Sequence, residues 1–147
     1  MILANLENCD ADKVLKICLF HDIAETRTGD ANFINKQYSV LHEEEAHKDQ
    51  MMGLPIADEI LGLLREYEQR ESKESIVAKD ADSLDQMVLQ REYFHKDSQN
   101  HEIWQNHSGK LLKTESAKKL ARKIRKSNPF EWFYGIAEHK TGNKIQR

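Results

Sequence analysis

The scarcity of helix-breaking residues is the feature that most constrains this chain. Its 147 residues include only 6 Gly and 2 Pro. Apolar residues instead recur at three- and four-residue spacing, which is the pattern of an amphipathic helix. With 39% apolar and 32% charged residues, the composition is neither disordered nor fibrous. The sequence therefore predicts an all-α fold, long enough for a single hydrophobic core.

Breaks in this pattern separate the predicted helices. Asp10 is a candidate N-cap for a first helix over 11–26, and Gly29 ends it. A loop over 29–39 then leads to a helix over 40–52. This second helix is polar around its circumference, so we expect it on the surface.

Two apolar helices follow and supply most of the predicted core. Pro55 suits the first turn of a helix over 55–70, and a longer helix covers 74–94. Their inward-facing residues are predicted from helical spacing: Ile56, Ile60, Leu61, Leu63 and Leu64 in the first, and Ile76, Val77, Ala81, Leu84, Met87 and Val88 in the second.

A basic segment comes next, after a polar stretch over 95–110. Thr114 is a candidate N-cap for a helix over 114–126, whose residues Lys118–Lys126 are strongly basic. Most such runs form solvated helix surfaces. Attraction of nucleotide phosphate or nucleic acid is the alternative interpretation of this helix.

An aromatic helix over 130–139 ends the predicted domain. Its aromatic side chains are expected in the core or in a dimer contact: Phe130, Trp132, Phe133 and Tyr134. We find no internal repeat and no linker. The sequence predicts one domain over 1–139 with a flexible tail over 140–147.

Charge and composition exclude several classes of partner. The formal net charge is −3, which gives no general attraction for nucleic acid or for a membrane surface. No apolar run reaches the roughly 18 residues of a membrane span, and the N-terminus lacks the features of a signal peptide. We therefore expect a cytoplasmic protein. Cys9 and Cys18 are too few for a disulfide framework and are expected to be reduced, half-buried thiols.

The end of the first predicted helix carries a cluster of polar residues. His21 and Glu25 are four residues apart, so a continuous helix would place both on one face, with Asp22 beside them. A neutral imidazole and carboxylate oxygens suit a divalent metal of intermediate softness. The alternative is an ordinary solvated helix end.

A second carboxylate lies about sixty residues later. Asp82 adjoins the apolar stripe of the helix over 74–94, where an ionised carboxylate needs a cation or several donors. Asp80 and Asp85 are competing candidates, since helical periodicity does not choose among the three. An N-cap or a surface salt bridge is the alternative role.

Taken together, "LFHDIAETRTGD" and "LLREYEQRESKESIVAKDADSLDQMVLQREY" resemble the HD-domain phosphohydrolase superfamily, specifically its 5'-deoxynucleotidase branch. The elements His-Asp-x-x-Glu, Thr-Gly-Asp, Glu-Tyr-Glu and a later lone Asp occur in the family's order and near its spacing. The resemblance covers most of the chain from about Leu15 to Tyr93. It implies an all-α HD-domain bundle, often a homodimer, that hydrolyses (deoxy)nucleoside 5'-monophosphates to nucleoside and phosphate. Another phosphate ester or diester is the alternative substrate.

The resemblance also implies roles for individual residues. His21, Asp22 and Asp82 match the family's ligands to a divalent metal, which could be Mn, Co, Ni, Zn, Fe or Mg. Glu25 matches the glutamate that handles the proton of the catalytic water. Asp30 matches a residue near the sugar. Lys79 matches a recurring position, which we assign to substrate binding, whereas Glu66 and Glu68 match recurring positions without an assigned role.

One departure from the family pattern concerns a further metal ligand. The family uses a histidine on a helix before the His-Asp doublet, and no histidine precedes His21 here. We therefore expect an HD domain that is incomplete at its N-terminus, with Met1 as an internal start or an artificial boundary.

Three outcomes are open for the incomplete site: water replaces the ligand, another histidine substitutes, or the chain is an inactive HD-fold remnant that serves as a helical interaction or dimerisation module. The other histidines are His42, His47, His95, His101, His107 and His139. His42 and His47 are expected on the exposed surface.

Overall fold

The computed structural model describes residues 1–93, 99–142 and 144. Within these residues the secondary structure is helical and contains no strand, which confirms the all-α prediction. The helices are α1 (Ile2–Glu7), α2 (Ala11–Phe20), α3 (Glu25–Thr28), α4 (Asn35–Tyr38), α5 (Glu43–Met51), α6 (Ala57–Gln69), α7 (Lys73–Tyr93), α8 (Gln99–Leu111), α9 (Glu115–Lys126) and α10 (Glu131–Thr141).

The chain forms two compact units, and Met1–Asp82 is the first. In this unit α2 packs on α6, α6 on α5, and α5 on α3. Met51, Ile60 and Leu64 form a buried cluster, against which Phe20 and Ile23 pack from the end of α2 and the turn after it. Full burial of Met51, Ile60 and Leu64 contributes about 1.5–3 kcal/mol for each side chain. Phe20 and Ile23, which are partly buried against them, hold the end of α2 to α6.

The predicted helix over 11–26 is wrong at its C-terminal end, because α2 ends at Phe20. Beyond that residue the backbone closes i to i+3 hydrogen bonds, for example from Ile23 N to Phe20 O and from Glu25 N to Asp22 O, both 3.0 Å. This pattern is that of a 3₁₀ turn, which winds more tightly than an α-helix. His21 and Glu25 therefore do not share one helix.

The predicted surface helix over 40–52 is shorter and more buried than expected. The helix α5 begins at Glu43, and its residues His47 and Met51 are only 8% and 2% exposed. They lie four residues apart, so they share the face that packs on α6. The expectation of an exposed His47 is wrong, whereas His42 is exposed as predicted.

Burial along α6 and α7 follows the predicted stripe with two exceptions. Ile60, Leu64 and Val77 are buried. Ile56 is 47% exposed because α6 begins one residue later and leaves it in the preceding turn, together with Pro55. Val88, near the end of α7, is 39% exposed.

Cys9 and Cys18 are free, half-buried thiols, as predicted.

The second unit comprises Ser83–Arg147. Much of the predicted polar stretch is helical here as α8, which packs against α9. The Arg125 guanidinium donates to the Gln105 carbonyl oxygen at 2.6 Å and passes close over Gly109, which has no side chain to block it. The Thr114 hydroxyl accepts a hydrogen bond from Ala117 N, so the predicted N-cap of α9 is confirmed.

The aromatic helix α10 differs from its predicted burial. Phe130, Trp132 and Phe133 are exposed, so the expectation of a core position is wrong for them, and a dimer contact stays a prediction.

His95 and part of the predicted tail over 140–147 lie outside the described residues. Among the helices described, none combines the length and apolar character needed to cross a membrane.

The N-cap of α2 gives a test of this fold. Asp10 accepts a hydrogen bond from Lys13 N at 3.0 Å, which satisfies a backbone donor that the helix itself cannot pair. Asp10→Ala should therefore lower the free energy of unfolding by about 1 kcal/mol, measured by urea denaturation with circular dichroism. Asp10→Asn keeps the cap and should retain the parental stability. Equal losses in both variants would contradict the capping role.

Candidate functional site

The site begins with the orientation of His21 at the C-terminal end of α2. Its Nδ1 lies 3.0 Å from the carbonyl oxygen of Cys18. A carbonyl oxygen can only accept, so Nδ1 carries a hydrogen in this contact. In the neutral imidazole, Nε2 is then left with a lone pair and is free to act as a ligand.

Nε2 of His21 faces two carboxylates. It lies 3.0 Å from Asp22 Oδ2 and 3.8 Å from Asp82 Oδ1. This atom is buried and makes no well-oriented hydrogen bond to any described residue. A buried lone pair that faces two carboxylates is electrostatically unfavourable unless a proton or another cation lies among them. The Asp82 carboxylate accordingly raises the pKa of His21, against the opposing effect of burial.

Asp82 remains strongly acidic despite its position in α7. Burial opposes its ionisation, but His21 and Lys79 outweigh that effect and lower its pKa to about 2. The Lys79 ammonium lies 2.7 Å from Asp82 Oδ2. Of the competing aspartates, Asp80 is buried and Asp85 is exposed, while the structure places Asp82 beside His21.

These donors fit a divalent cation by their chemistry. One imidazole nitrogen with carboxylate oxygens is a ligand set that such ions accept. In the part of the chain that the structure describes, no three His, Cys, Asp or Glu side chains are already arranged to hold an ion. Asp82 pairs with Lys79 through Oδ2, while its Oδ1 faces His21, so a bound ion would compete with the lysine for this carboxylate.

Glu25 lies one 3₁₀ turn beyond Asp22, at the start of α3. Burial raises the pKa of its carboxyl above the ordinary value, and the negative charges of Asp22 and Asp30 raise it further. A carboxyl with a raised pKa is a better proton acceptor near neutral pH. Asp30 itself is exposed, after Gly29, whose φ of 80° suits glycine.

Two residues of the site were not predicted: Tyr67 and Arg70. The Tyr67 ring meets the His21 ring edge-on, with 5.0 Å between centroids. Arg70 stacks on the tyrosine, with its guanidinium carbon 3.7 Å from the ring centroid. Burial raises the pKa of Tyr67 far above its ordinary value, so its hydroxyl keeps its proton. The sequence could have indicated them, because Leu64, Tyr67 and Arg70 are spaced three residues apart and so lie near one face of a helix.

Arg70 also occupies an unusual backbone conformation. It caps α6 in the left-handed region, with φ 57° and ψ 33°, where side chains other than glycine are uncommon. Its Nη1 is buried and has no hydrogen-bond partner among the residues described. The Tyr67 ring contacts both this guanidinium and the His21 ring. A buried cationic donor without a hydrogen-bond partner is suited to bind an anion.

The two glutamates without an assigned role differ in position. Glu66 lies 2.8 Å from Lys13 and accepts from the Ser72 hydroxyl, so it links α6 to α2 and to the start of α7. Despite partial burial, these partners lower the pKa of Glu66. Glu68 is exposed on the other side of α6. The contacts of Glu66 are those of a structural residue.

Comparison with known proteins gives a family match. The family model HD_3, described as an HD domain, matches residues 1–125. Neither the curated proteins nor the solved structures contain a match. The matched range includes every residue of the site, from His21 to Asp82.

The geometry predicts that metal binding depends on Asp82. Asp82→Asn removes a charged ligand while keeping the side-chain size. Binding of Mn²⁺ or Co²⁺, measured by calorimetry, should weaken by more than the roughly 10- to 100-fold typical of changes in outer partners. Asp85→Asn is the matched control, because Asp85 is exposed on the same helix. Equal metal affinity in the two variants would exclude Asp82 as a ligand.

Proposed function

Because this chain belongs to the HD-domain family, whose members are generally metal-dependent phosphohydrolases, we propose that it hydrolyses the phosphomonoester of a (deoxy)nucleoside 5'-monophosphate. The observation that carries the proposal is the buried Nε2 of His21, which faces the carboxylates of Asp22 and Asp82. The nucleotide specificity rests on the resemblance of the His-Asp-x-x-Glu and Thr-Gly-Asp segments to the 5'-deoxynucleotidase branch.

His21, Asp22 and Asp82 would hold the metal ion. When bound, a divalent ion neutralises phosphate charge and lowers the pKa of water from about 15.7 towards roughly 7. The hydrogen bond from His21 Nδ1 to Cys18 O keeps the imidazole oriented for this role. Mn, Co, Ni, Zn, Fe and Mg are all candidates, since nitrogen and oxygen ligands accept several of these ions.

Two cationic side chains would bind the phosphate. The Lys79 side chain is 42% exposed, so its ammonium can move from Asp82 to a phosphate oxygen when the metal takes its place. The Arg70 guanidinium offers several donors in one plane, which matches the geometry of phosphate oxygens. Together they oppose the repulsion between a phosphate dianion and the carboxylates of the site.

Glu25 would move the proton. As the water oxygen attacks phosphorus, the Glu25 carboxylate accepts a proton from that water, and the bond from phosphorus to the 5' oxygen breaks. The same carboxyl then delivers the proton to the leaving oxygen, so the products are nucleoside and inorganic phosphate. The raised pKa of Glu25 supports both halves of this transfer. Asp30, whose charge acts on Glu25, would accept a hydrogen bond from a sugar hydroxyl.

The first test is phosphate release from deoxynucleoside monophosphates with added Mn²⁺ or Co²⁺. Glu25→Gln should reduce kcat by roughly 100-fold or more, the range of general acid–base catalysis, while metal affinity is retained. Glu45→Gln is the control, because Glu45 is exposed and pairs with His42 instead. A chain that binds metal without hydrolysing any monoester would contradict the proposal and favour the non-catalytic helical module.

Arg70 provides a separate test of phosphate binding. Arg70→Asn removes the guanidinium, and asparagine tolerates the left-handed backbone at this position. Inhibition by inorganic phosphate should weaken about tenfold or more, as expected for a lost charge-assisted hydrogen bond. Arg122→Asn, at an exposed position of α9, should leave inhibition unchanged. Equal inhibition of Arg70→Asn and the parent would exclude this role.

A further inference from the structure

The first unit contains a cavity on the α5 side of α6. It has a volume of about 550 Å³ and lies between the segment over 36–41, α5 and α6. Small-molecule pockets span roughly 300–1,000 Å³, so the cavity can hold a ligand of nucleoside size. None of its lining residues belongs to the metal-binding cluster of His21, Asp22 and Asp82.

His47 is the unusual residue of its wall. Its side chain is 8% exposed and lines the cavity from α5. Its Nε2 is buried and finds no hydrogen-bond partner in the described parts of the chain. A buried polar atom without a partner costs free energy, and a ligand that hydrogen-bonds to it recovers that loss.

The charge of the lining indicates what kind of ligand fits. Three cationic side chains line the cavity, and three carboxylates accompany them: Lys36, Lys48 and Arg65 against Glu43, Glu44 and Glu68. Lys48 already pairs with Glu44 at 2.6 Å. Because the positive and negative charges of the lining balance, the cavity does not attract an anion such as the phosphate of a nucleotide.

A neutral planar heterocycle fits this lining better than an anion does. Leu41, Leu61 and Leu64 supply apolar surface for the faces of a ring. The edge of a nucleobase carries both donors and acceptors, which the mixed polar side chains can pair. The imidazole of His47 can serve as either a donor or an acceptor.

The cavity also lies near the proposed proton-transfer residue. The helix α5, which forms one wall of the cavity, packs against α3, and α3 begins at Glu25. A nucleotide that spans these two elements would place its phosphate beside Glu25 and its base in the cavity.

We propose that this cavity binds the nucleobase of the substrate and that His47 Nε2 hydrogen-bonds to the edge of the base. The inference rests on the proposed nucleotidase function only because it identifies the ligand as part of the substrate. Binding of the base itself can be measured without catalysis.

The decisive measurement is histidine nitrogen NMR on the full chain, without metal, as deoxynucleosides are added one at a time. Deoxynucleosides carry no phosphate, so they report on base binding alone. The Nε2 resonance of His47 should shift with saturable dependence on at least one of them, while that of His42 should not. Absence of a His47 shift with every deoxynucleoside at millimolar concentration would overturn the proposal.

A variant pair extends the test. His47→Phe keeps a ring in the wall and removes Nε2, so deoxynucleoside affinity should fall about tenfold, the loss expected for one hydrogen bond. With nucleotides, KM should rise for the preferred base and kcat should change less. His42→Phe is the control, since the His42 side chain is 69% exposed on the same segment. Thermal unfolding of both variants verifies that they fold.

The outcomes separate this inference from the proposed function. Phosphate release with the same base preference in His47→Phe and the parent would overturn the inference and leave the hydrolase function intact. Deoxynucleoside binding at His47 without hydrolysis of any monoester would support the cavity as a nucleobase site and contradict the hydrolase function.

Discussion

The hydrogen bond between His21 Nδ1 and the Cys18 carbonyl oxygen determines what the rest of the site can do. In the neutral imidazole, it assigns the hydrogen to one nitrogen and leaves the other with a lone pair that faces Asp22 and Asp82. Without it, the ring could rotate or adopt the other tautomer, and Nε2 would then compete as a donor to the carboxylates. A single contact with the backbone therefore determines which imidazole nitrogen can act as a ligand.

The packing of α2 on α6 keeps that contact in place. Two ion pairs join these helices: a partly buried one from Lys13 to Glu66 and an exposed one from Lys16 to Glu59. An exposed pair contributes little, about 0–1 kcal/mol, so the buried cluster around Ile60 is a stronger link than the pair of Lys16 with Glu59. The same helix α6 carries Tyr67 against the His21 ring, and Arg70, which caps this helix, stacks its guanidinium on Tyr67.

The sequence predicted the helical fold well because apolar spacing and capping residues act locally. Asp10 and Thr114 cap the helices that they were expected to cap. The sequence predicted the end of α2 poorly. After Phe20 the backbone changes to i to i+3 hydrogen bonds, and the spacing of apolar and polar residues does not indicate this change. His47 was misjudged for a related reason: a histidine among charged residues resembles an exposed one until the packing of α5 on α6 is known.

The candidate site shows the same division. The resemblance to the HD-domain pattern selected His21, Asp22, Glu25 and Asp82, whereas helical periodicity alone did not choose among the aspartates of α7. The structure brings His21, Asp22 and Asp82 together, and their roles stay predictions. Tyr67 and Arg70 were missed because their contribution depends on a ring-edge contact and on a left-handed backbone conformation. Both are properties of the folded chain rather than of residue spacing.

The ion pair between Lys79 and Asp82 has a consequence for the life of the protein without metal. In small zinc domains, loss of the ion leaves repelling ligands, and the fold collapses with it. Here the lysine serves as an internal counter-ion, so the partly buried carboxylate is compensated by the chain itself. If the chain binds a metal ion as proposed, its folding would therefore not depend on that ion to compensate this carboxylate.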